Sequence, residues 1–337
     1  MMKKRKVSRR MAGLGILFIL CFFGSFFLGR YPISPKLLFD VFSSKITGSE
    51  PYWESAVEQV LFQVRFPRVI MASLIGAGLS CAGAAYQGIF QNPMVSPSVL
   101  GASAGAGFGA ALGLYFAQGK TVVTLLAFIF GIGAVLLVCL IGGQVKHNQV
   151  LGLVLAGSMV GSLFSAAVSF LKLVADTNNT LPAITYWLMG SLSGVQNEDV
   201  AFAGPLILIG ILPIYLLRWK MNVLTLGEEE AHCIGVNTKK IRWVVILSGT
   251  LITAAAVSVS GLIGWVGLVI PHLSRMLVGN DYRKMLPATI LLGGSYLLIV
   301  DNVSRMIAAS EMPIGILTAF IGAPFFLYLI LREGKTL

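Results

Sequence analysis

Charge is scarce in this chain: 12% of its 337 residues are Asp, Glu, Lys or Arg, against about a quarter in a soluble protein. Histidine and cysteine are scarcer still, with three and four residues. His147, His232 and His272 stand far apart and never in an HExxH spacing, so no metalloprotease helix can be built from them. Cys21, Cys81 and Cys139 lie inside apolar runs and read as small buried hydrophobes. With Cys233 they form no CxxC, which excludes a zinc ribbon and a disulfide framework. No Ser–His–Asp set and no paired carboxylates stand out. The Gly-Lys-Thr tripeptides at 119–121 and 334–336 lack the glycine that a phosphate loop needs five places earlier; Leu114 and Leu329 stand there. The expectation is a protein that is not an enzyme, hydrolyses no ATP and holds no metal or cofactor.

Long apolar runs fill the space that charge leaves. The chain is 56% hydrophobic with a mean hydropathy of +0.84. Runs of about 17 residues or more recur, each long enough for the ~30 Å hydrocarbon layer. They exclude the short alternating segments of a β-barrel. The fold class is an all-α polytopic membrane protein of ten transmembrane helices, at roughly 11–29, 67–87, 98–118, 121–143, 150–171, 200–217, 242–262, 263–280, 285–308 and 313–331, read as one domain over 1–337. The net charge of +11 does not indicate nucleic acid, because the bases gather at segment ends. Counted over alternating spans, the side that holds Lys3–Arg10, Arg218–Arg242 and Arg332 has about twice the bases of the other. That side is expected to be cytoplasmic and to hold both termini, the basic tail 1–10 and the segment 218–241, leaving 30–66 as an extracytoplasmic loop. Met11–Gly29 is long and has no A-x-A-like site after it, so it reads as a retained span.

Within this frame a few stretches carry detail. In GASAGAGFGAALG, Gly101, Gly105, Gly109 and Gly113 repeat every four residues, a face that admits a neighbouring helix closely. QNPMVSPSVLG and VIPHLSR place prolines at or inside spans. Each is either an interrupted helix beside a pathway or an ordinary loop and a packed kink. LGEEEAHCIGV (226–236) gathers three glutamates, a histidine and a cysteine, with Glu228 and His232 one turn apart. It reads as a metal cluster or as a short helix whose acids complement its N-terminus. Asp301 is the one clear carboxylate deep in a span, one turn from Arg305. Without a proton relay or a nucleotide site, a transporter would have its engine in another subunit.

Seven stretches in order, VRFPRV (64–69), GAGLSCAGAAYQGIFQNPMVSPSVLGASAGA (76–106), YWLMGSLSGV (186–195), LGEEEAHCIGV (226–236), GLIGWVGLVIPHLSR (261–275), DNVSR (301–305) and EMPIGILTAFIGAPFF (311–326), resemble the FecCD-type permeases. These are the membrane subunits of bacterial ABC importers for ferric siderophores, haem and cobalamin. The resemblance implies ten helices per subunit and two permease chains around a central path, in the cytoplasmic membrane. It also implies a pair of ABC ATPase subunits using ATP and Mg, and an extracytoplasmic substrate-binding protein. It makes Leu226, Gly227, Glu228, Ala231, Ile234, Gly235 and Val236 the ATPase-coupling segment, with Ile234 where the family has leucine. Arg65, Arg68 and Arg305 become exposed partners for acidic residues of the binding protein; interfacial anchoring is the plainer reading of the same residues. Gln91, Asn92, Pro93 and Met94 become the cytoplasmic gate, and the final spans and the fifth helix part of the subunit interface. The expected substrate is a ferric siderophore, with haem or cobalamin as alternatives. An ion-driven secondary transporter and a metal-sensing protein are the readings from other classes.

Overall fold

The computed structural model describes residues 2–48, 50, 52–145, 149–225, 227–307 and 310–333, without the side chains of 2–6, 46, 228, 229, 232, 329, 330, 332 and 333. Among these the regular structure is helical, with no strand. This is what hydrocarbon demands of a backbone that must satisfy its own hydrogen bonds. α1 (Met2–Phe27) runs from what we call the near end of the bundle to the far end. α2 (Pro35–Thr47) and α3 (Ser55–Gln59) lie at the far end, and α3 passes through a π-helical turn, Val60–Arg65, into α4 (Phe66–Ile89), which returns. A 3-10 turn, Pro97–Leu100, precedes α5 (Ala102–Tyr115), and α6 (Lys120–Gly142) and α7 (Gln149–Val174) follow. Next come the short α8 (Thr180–Leu188), the long α9 (Asn197–Leu216), and α10 (Arg218–Leu224) and α11 (Glu228–Cys233) at the near end. α12 (Thr238–Ser260), α13 (Val266–Val278), α14 (Tyr282–Met306) and α15 (Ile314–Glu333) complete the chain.

A helix stands at each of the ten expected spans. Seven are long and apolar enough to cross a bilayer by length and composition; α5, α13 and the apolar part of α15, Ile314–Tyr328, are shorter. Two sequence boundaries need correction. Residues 30–66 are not a bare loop: α2 is capped by Ser34 Oγ, which accepts from Leu37 N at 3.2 Å, and Ile33, Val41, Val57 and Leu61 form a small core of their own. The third span starts at Ala102 rather than 98, because Gly101 turns the chain at φ +80°.

α4 is the axis. Its run GAGLSCAGAA carries little side-chain bulk, so α9, α12, α13 and α14 all approach it and it is buried along nearly its whole length. α13 and α14 both pack backbone to backbone against it. Pro271 has no N–H for the Gly267 carbonyl four residues back. That carbonyl faces Gly83 of α4, where any Cβ would collide with it. Proline does not interrupt the helix there: α13 is continuous over Val266–Val278. The interruption lies upstream, where residues 261–264 are non-helical and Trp265 has φ +69°. Gly322 of α15 packs on Trp265, holding a conformation that a non-glycine residue rarely adopts.

Candidate functional site

At the near end α11 is a single capped turn and a half. Gly235 takes φ +78°, and Val236 N donates to Ala231 O at 3.0 Å, the six-to-one bond of a Schellman close. The Glu230 carboxylate folds back over Gly227, where φ is +129° and a Cβ would meet it. Ala231 is fully buried and Val236 nearly so, which seats α11 on the bundle, while Cys233, Ile234 and Gly235 face outward. Ile234 is 59% exposed. Leu226 lies outside the described residues, as do the side chains of Glu228, Glu229 and His232.

The frame that holds α11 was not legible as a site in the sequence. α10 buries Met221 and stacks Arg218 over the Tyr215 ring at 4.1 Å. Asn222 Nδ2 donates to Asp281 Oδ1 at 2.8 Å and Asn222 Oδ1 accepts from Tyr282 N at 2.8 Å, so one side chain clamps α10 to the turn between α13 and α14. Asp281 also caps α14 by accepting from Arg283 N. Partial burial raises its carboxyl, but the bonds from Asn222 and Arg283 N, with Lys284 and Arg283 nearby, hold it below the usual carboxylate range. Asp before an apolar run was the available sign of a helix cap.

Beside this frame, Gln91, Asn92 and Pro93 line a polar cleft of about 750 Å³ together with Thr225, His272, Arg275 and Asn280. Gln91 takes φ +49° and donates through Nε2 to Leu224 O at 2.8 Å; Asn92 Oδ1 accepts from Met94 N at 2.8 Å. Met94 is exposed. The cleft floor is Gln87, buried in α4, whose Oε1 accepts from Arg275 Nη2 at 2.6 Å. Thus the two proline-bearing segments, far apart in sequence, meet here. Deeper in the bundle, Ser96, Ser98, Ser103 and Thr253 share a cavity of about 250 Å³ with the non-helical segment before α13.

At the far end the three arginines are not exposed. Arg65, Arg68 and Arg305 are 3%, 3% and 5% exposed, so the expected exposed set is corrected to a buried one. Arg68 Nε donates to Asp301 Oδ1 at 2.9 Å, and its Nη1 donates to both Glu311 oxygens, at 3.1 and 2.9 Å. Arg305 Nε lies 3.3 Å from Asp301 Oδ2. Arg65 donates to the carbonyls of Phe26 and Tyr31, closing the end of α1. Arg305 also bonds Asn302, which in turn donates to Ser25 Oγ at 2.8 Å. Arg68 Nη2 is buried and has no hydrogen-bond partner among the described residues. Glu311, Asn302 and Ser25 were missed in the sequence, since nothing in their spacing brings residues over 200 positions apart together.

The glycine row of α5 faces two neighbours. A Cβ on Gly105 or Gly109 would collide with the carbonyls of Phe130 or Leu126 in α6, and one on Gly113 would lie 3.1 Å from Val123. Gly101 instead faces Gly157 of α7. Further in, Gly190 O accepts from Ile314 N at 2.8 Å and Ser191 N donates to Ser260 O at 2.8 Å, joining the turns that follow α8 and α12 to the start of α15.

A helical bundle of this length, with seven helices long and apolar enough to cross a bilayer, is that of a polytopic membrane protein. The chain belongs to the FecCD transport family, which it matches over residues 17–332. It is 41% identical over 321 residues to the molybdate import system permease protein MolB of Haemophilus influenzae, covering 95% of this chain and 94% of that one. It is 39% identical to a probable iron chelatin transport system permease protein of Helicobacter pylori, over 82% of this chain and 84% of that one. The hemin transport system permease protein HmuU of Yersinia pestis is 34% identical over 99% of both chains. A solved metal-chelate type ABC transporter in an inward-facing conformation has 40% identity and a TM-score of 0.85, covering 96% of this chain and 99% of that one.

Proposed function

We propose that this permease carries ferric siderophores inward across a bacterial cytoplasmic membrane, as one of two permease chains served by a pair of ATPase subunits and an extracytoplasmic binding protein. The near end is then cytoplasmic, with both termini, and the far end receives the binding protein. ATP and Mg are used by the ATPase subunits. The observation that carries the reading is Ile234. It is a large apolar side chain held out from a helix whose Ala231 and Val236 are locked into the bundle. A rigid knob of this kind fits an apolar groove on a partner and passes movement to α10, α12 and the cleft beside Gln91 and Asn92, the proposed gate.

Ile234→Asp tests this directly. Losing the burial of one isoleucine, about 1.5–3 kcal/mol, weakens ATPase association by roughly tenfold or more in a pull-down, with melting in detergent unchanged. Unchanged association rejects the coupling role. ATP-independent uptake driven by an ion gradient in liposomes that lack the ATPase rejects the whole reading in favour of a secondary transporter.

Iron chelate is favoured as cargo because the relatives named for iron chelatin and hemin and the metal-chelate type structure share a metal chelate as what they are named for. A second reading, a small oxyanion, is favoured by the molybdate relative and by the hydroxyls of Ser96, Ser98, Ser103 and Thr253 around one small cavity. Uptake of labelled ferric siderophores, haem, cobalamin and molybdate after deletion and complementation separates them; loss of molybdate uptake alone overturns the siderophore assignment. If Arg65, Arg68 and Arg305 engage acidic residues of the binding protein, the Arg68–Glu311 pair must open first.

A further inference from the structure

Arg275 stands in the last turn of α13, on the wall of the near-end cleft that Gln91 and Asn92 border. It is half-buried, and its Nη2 donates to Gln87 Oε1 at 2.6 Å. Its other neighbour is the Tyr282 hydroxyl, which spends its one hydrogen on Ala84 O at 3.2 Å and so accepts from the guanidinium. A guanidinium carries five N–H donors, and two neutral neighbours leave most of them unused and the charge unanswered. Among the described residues no carboxylate pairs with Arg275. Other enclosed cations are treated differently: Arg68 and Arg305 share Asp301, and Lys120 has Asp199.

The rest of the cleft is donor-rich. No carboxylate lines it among the described residues, and Asp281, next to it in sequence, is engaged by Asn222 Nδ2 and Arg283 N. Asn92 Oδ1 is taken by Met94 N, which leaves Nδ2 to donate, and the exposed Asn280 has no hydrogen bond to another described residue. The carbonyls that end α13 carry partial negative charge, but Leu277 O accepts from Arg10 and Arg275 O from Gly279 N. Gln87 also donates through Nε2 to Val95 O and Leu268 O, at 3.4 and 3.5 Å, and so holds the guanidinium in place. At about 750 Å³ the cleft is on the scale of a small-molecule site.

We propose that this cleft binds an oxyanion, a carboxylate or a tetrahedral oxyanion, against Arg275, with the amides of Asn92 and Asn280 completing its contacts. A held, half-buried guanidinium with spare N–H groups is suited to such a group. A neutral ligand would leave the charge unanswered and a cation would be repelled, so the charge selects the class. With the near end cytoplasmic, as proposed above, the site lies on the release side. Its oxyanion is then the anionic group of departing cargo or a free anion of the cytoplasm. Only that placement rests on the transport reading; the binding does not.

The test is calorimetric titration of the full chain in detergent with molybdate, citrate, sulfate and phosphate, at an ionic strength held constant with chloride. Saturable binding of at least one of them is expected. Arg275→Gln weakens it by roughly tenfold or more, the worth of a hydrogen bond to a charged group, and Arg275→Lys recovers most of it. Because Arg275 also fastens Gln87, a second pair of variants leaves that bond alone. Asn280→Asp weakens binding and Asn280→Lys strengthens it, by roughly three- to tenfold each, with melting unchanged. A cleft that merely packs would not respond in opposite directions. Binding confined to molybdate and citrate assigns the site to departing cargo, and equal binding of sulfate and phosphate assigns it to free anions; either result keeps the oxyanion site. No saturable heat with any of the four overturns the proposal, as does binding that Arg275→Gln and both Asn280 variants leave unchanged. The isolated chain needs neither ATPase nor transport, so this result and the transport reading fail separately.

Discussion

The two ends of α4 hold opposite kinds of polarity. At its start, Arg68 is sealed among Asp301, Glu311 and Arg305, and each charge answers another. At its finish, Gln87, Gln91 and Asn92 open onto a cleft of about 750 Å³ and bond mostly to backbone and to each other's segments. Buried ion pairs gain little net stability when formed but cost much when half removed. Neutral amides on a cleft can exchange their partners for water at small cost. One helix thus joins a locked end to one that can rearrange.

Substitutions can break this contrast. The largest effect is expected from Asp301→Asn, which leaves Arg68 and Arg305 with an uncompensated buried charge; a loss of about 3–5 kcal/mol should appear as a lower melting temperature in detergent. Asn222→Ala opens the clamp between α10 and Asp281, and a loss of about 1–2 kcal/mol is expected, with transport falling further than melting does. If Asn222→Ala proves the more damaging to melting, the assignment of locked and adaptable ends is reversed. Glu311→Gln removes the quarter-exposed member of the far-end cluster and costs about 1 kcal/mol. It frees Arg68, so association with an acidic binding protein should tighten; weaker association counts against docking at these arginines. The smallest effect is expected from Asp281→Asn. With its carboxyl held low, wild-type Asp281 contributes stability above about pH 4 that is lost as pH falls through the lowered value. Asn still caps α14, so the variant should match the wild type in dilute acid and lack only that acid-side decline.

Much of the fold was legible because hydrocarbon imposes a coarse rule. Each of the ten apolar runs holds a helix, seven of them long and apolar enough to cross a bilayer, and the glycine pattern of α5 marked a face whose members at 105, 109 and 113 lie against α6. The two readings of Pro271, an interrupted helix or a packed kink, could not be separated in sequence because proline is a local signal; the helix is continuous there and the break lies upstream. Pro271 only frees the Gly267 carbonyl, which Gly83 accommodates, whereas the true break depends on Trp265 finding Gly322 of another helix. For the same reason α11 could be bounded by its glycines, but not its clamp, since Asn222 and Asp281 are 59 positions apart. The three arginines gather at one end of the bundle and are buried there rather than exposed. Sequence shows where a charge lies along a helix and not whether Asp301 and Glu311 close over it.

The joint of Gly190, Ser191, Ser260 and Ile314 has a consequence for how this chain tolerates change in length. Three turns share two backbone bonds there, each supplying the partner that another would otherwise seek from water. A residue inserted into any one of them would shift its donor or acceptor out of register with the other two. Through this joint the chain has a fixed count.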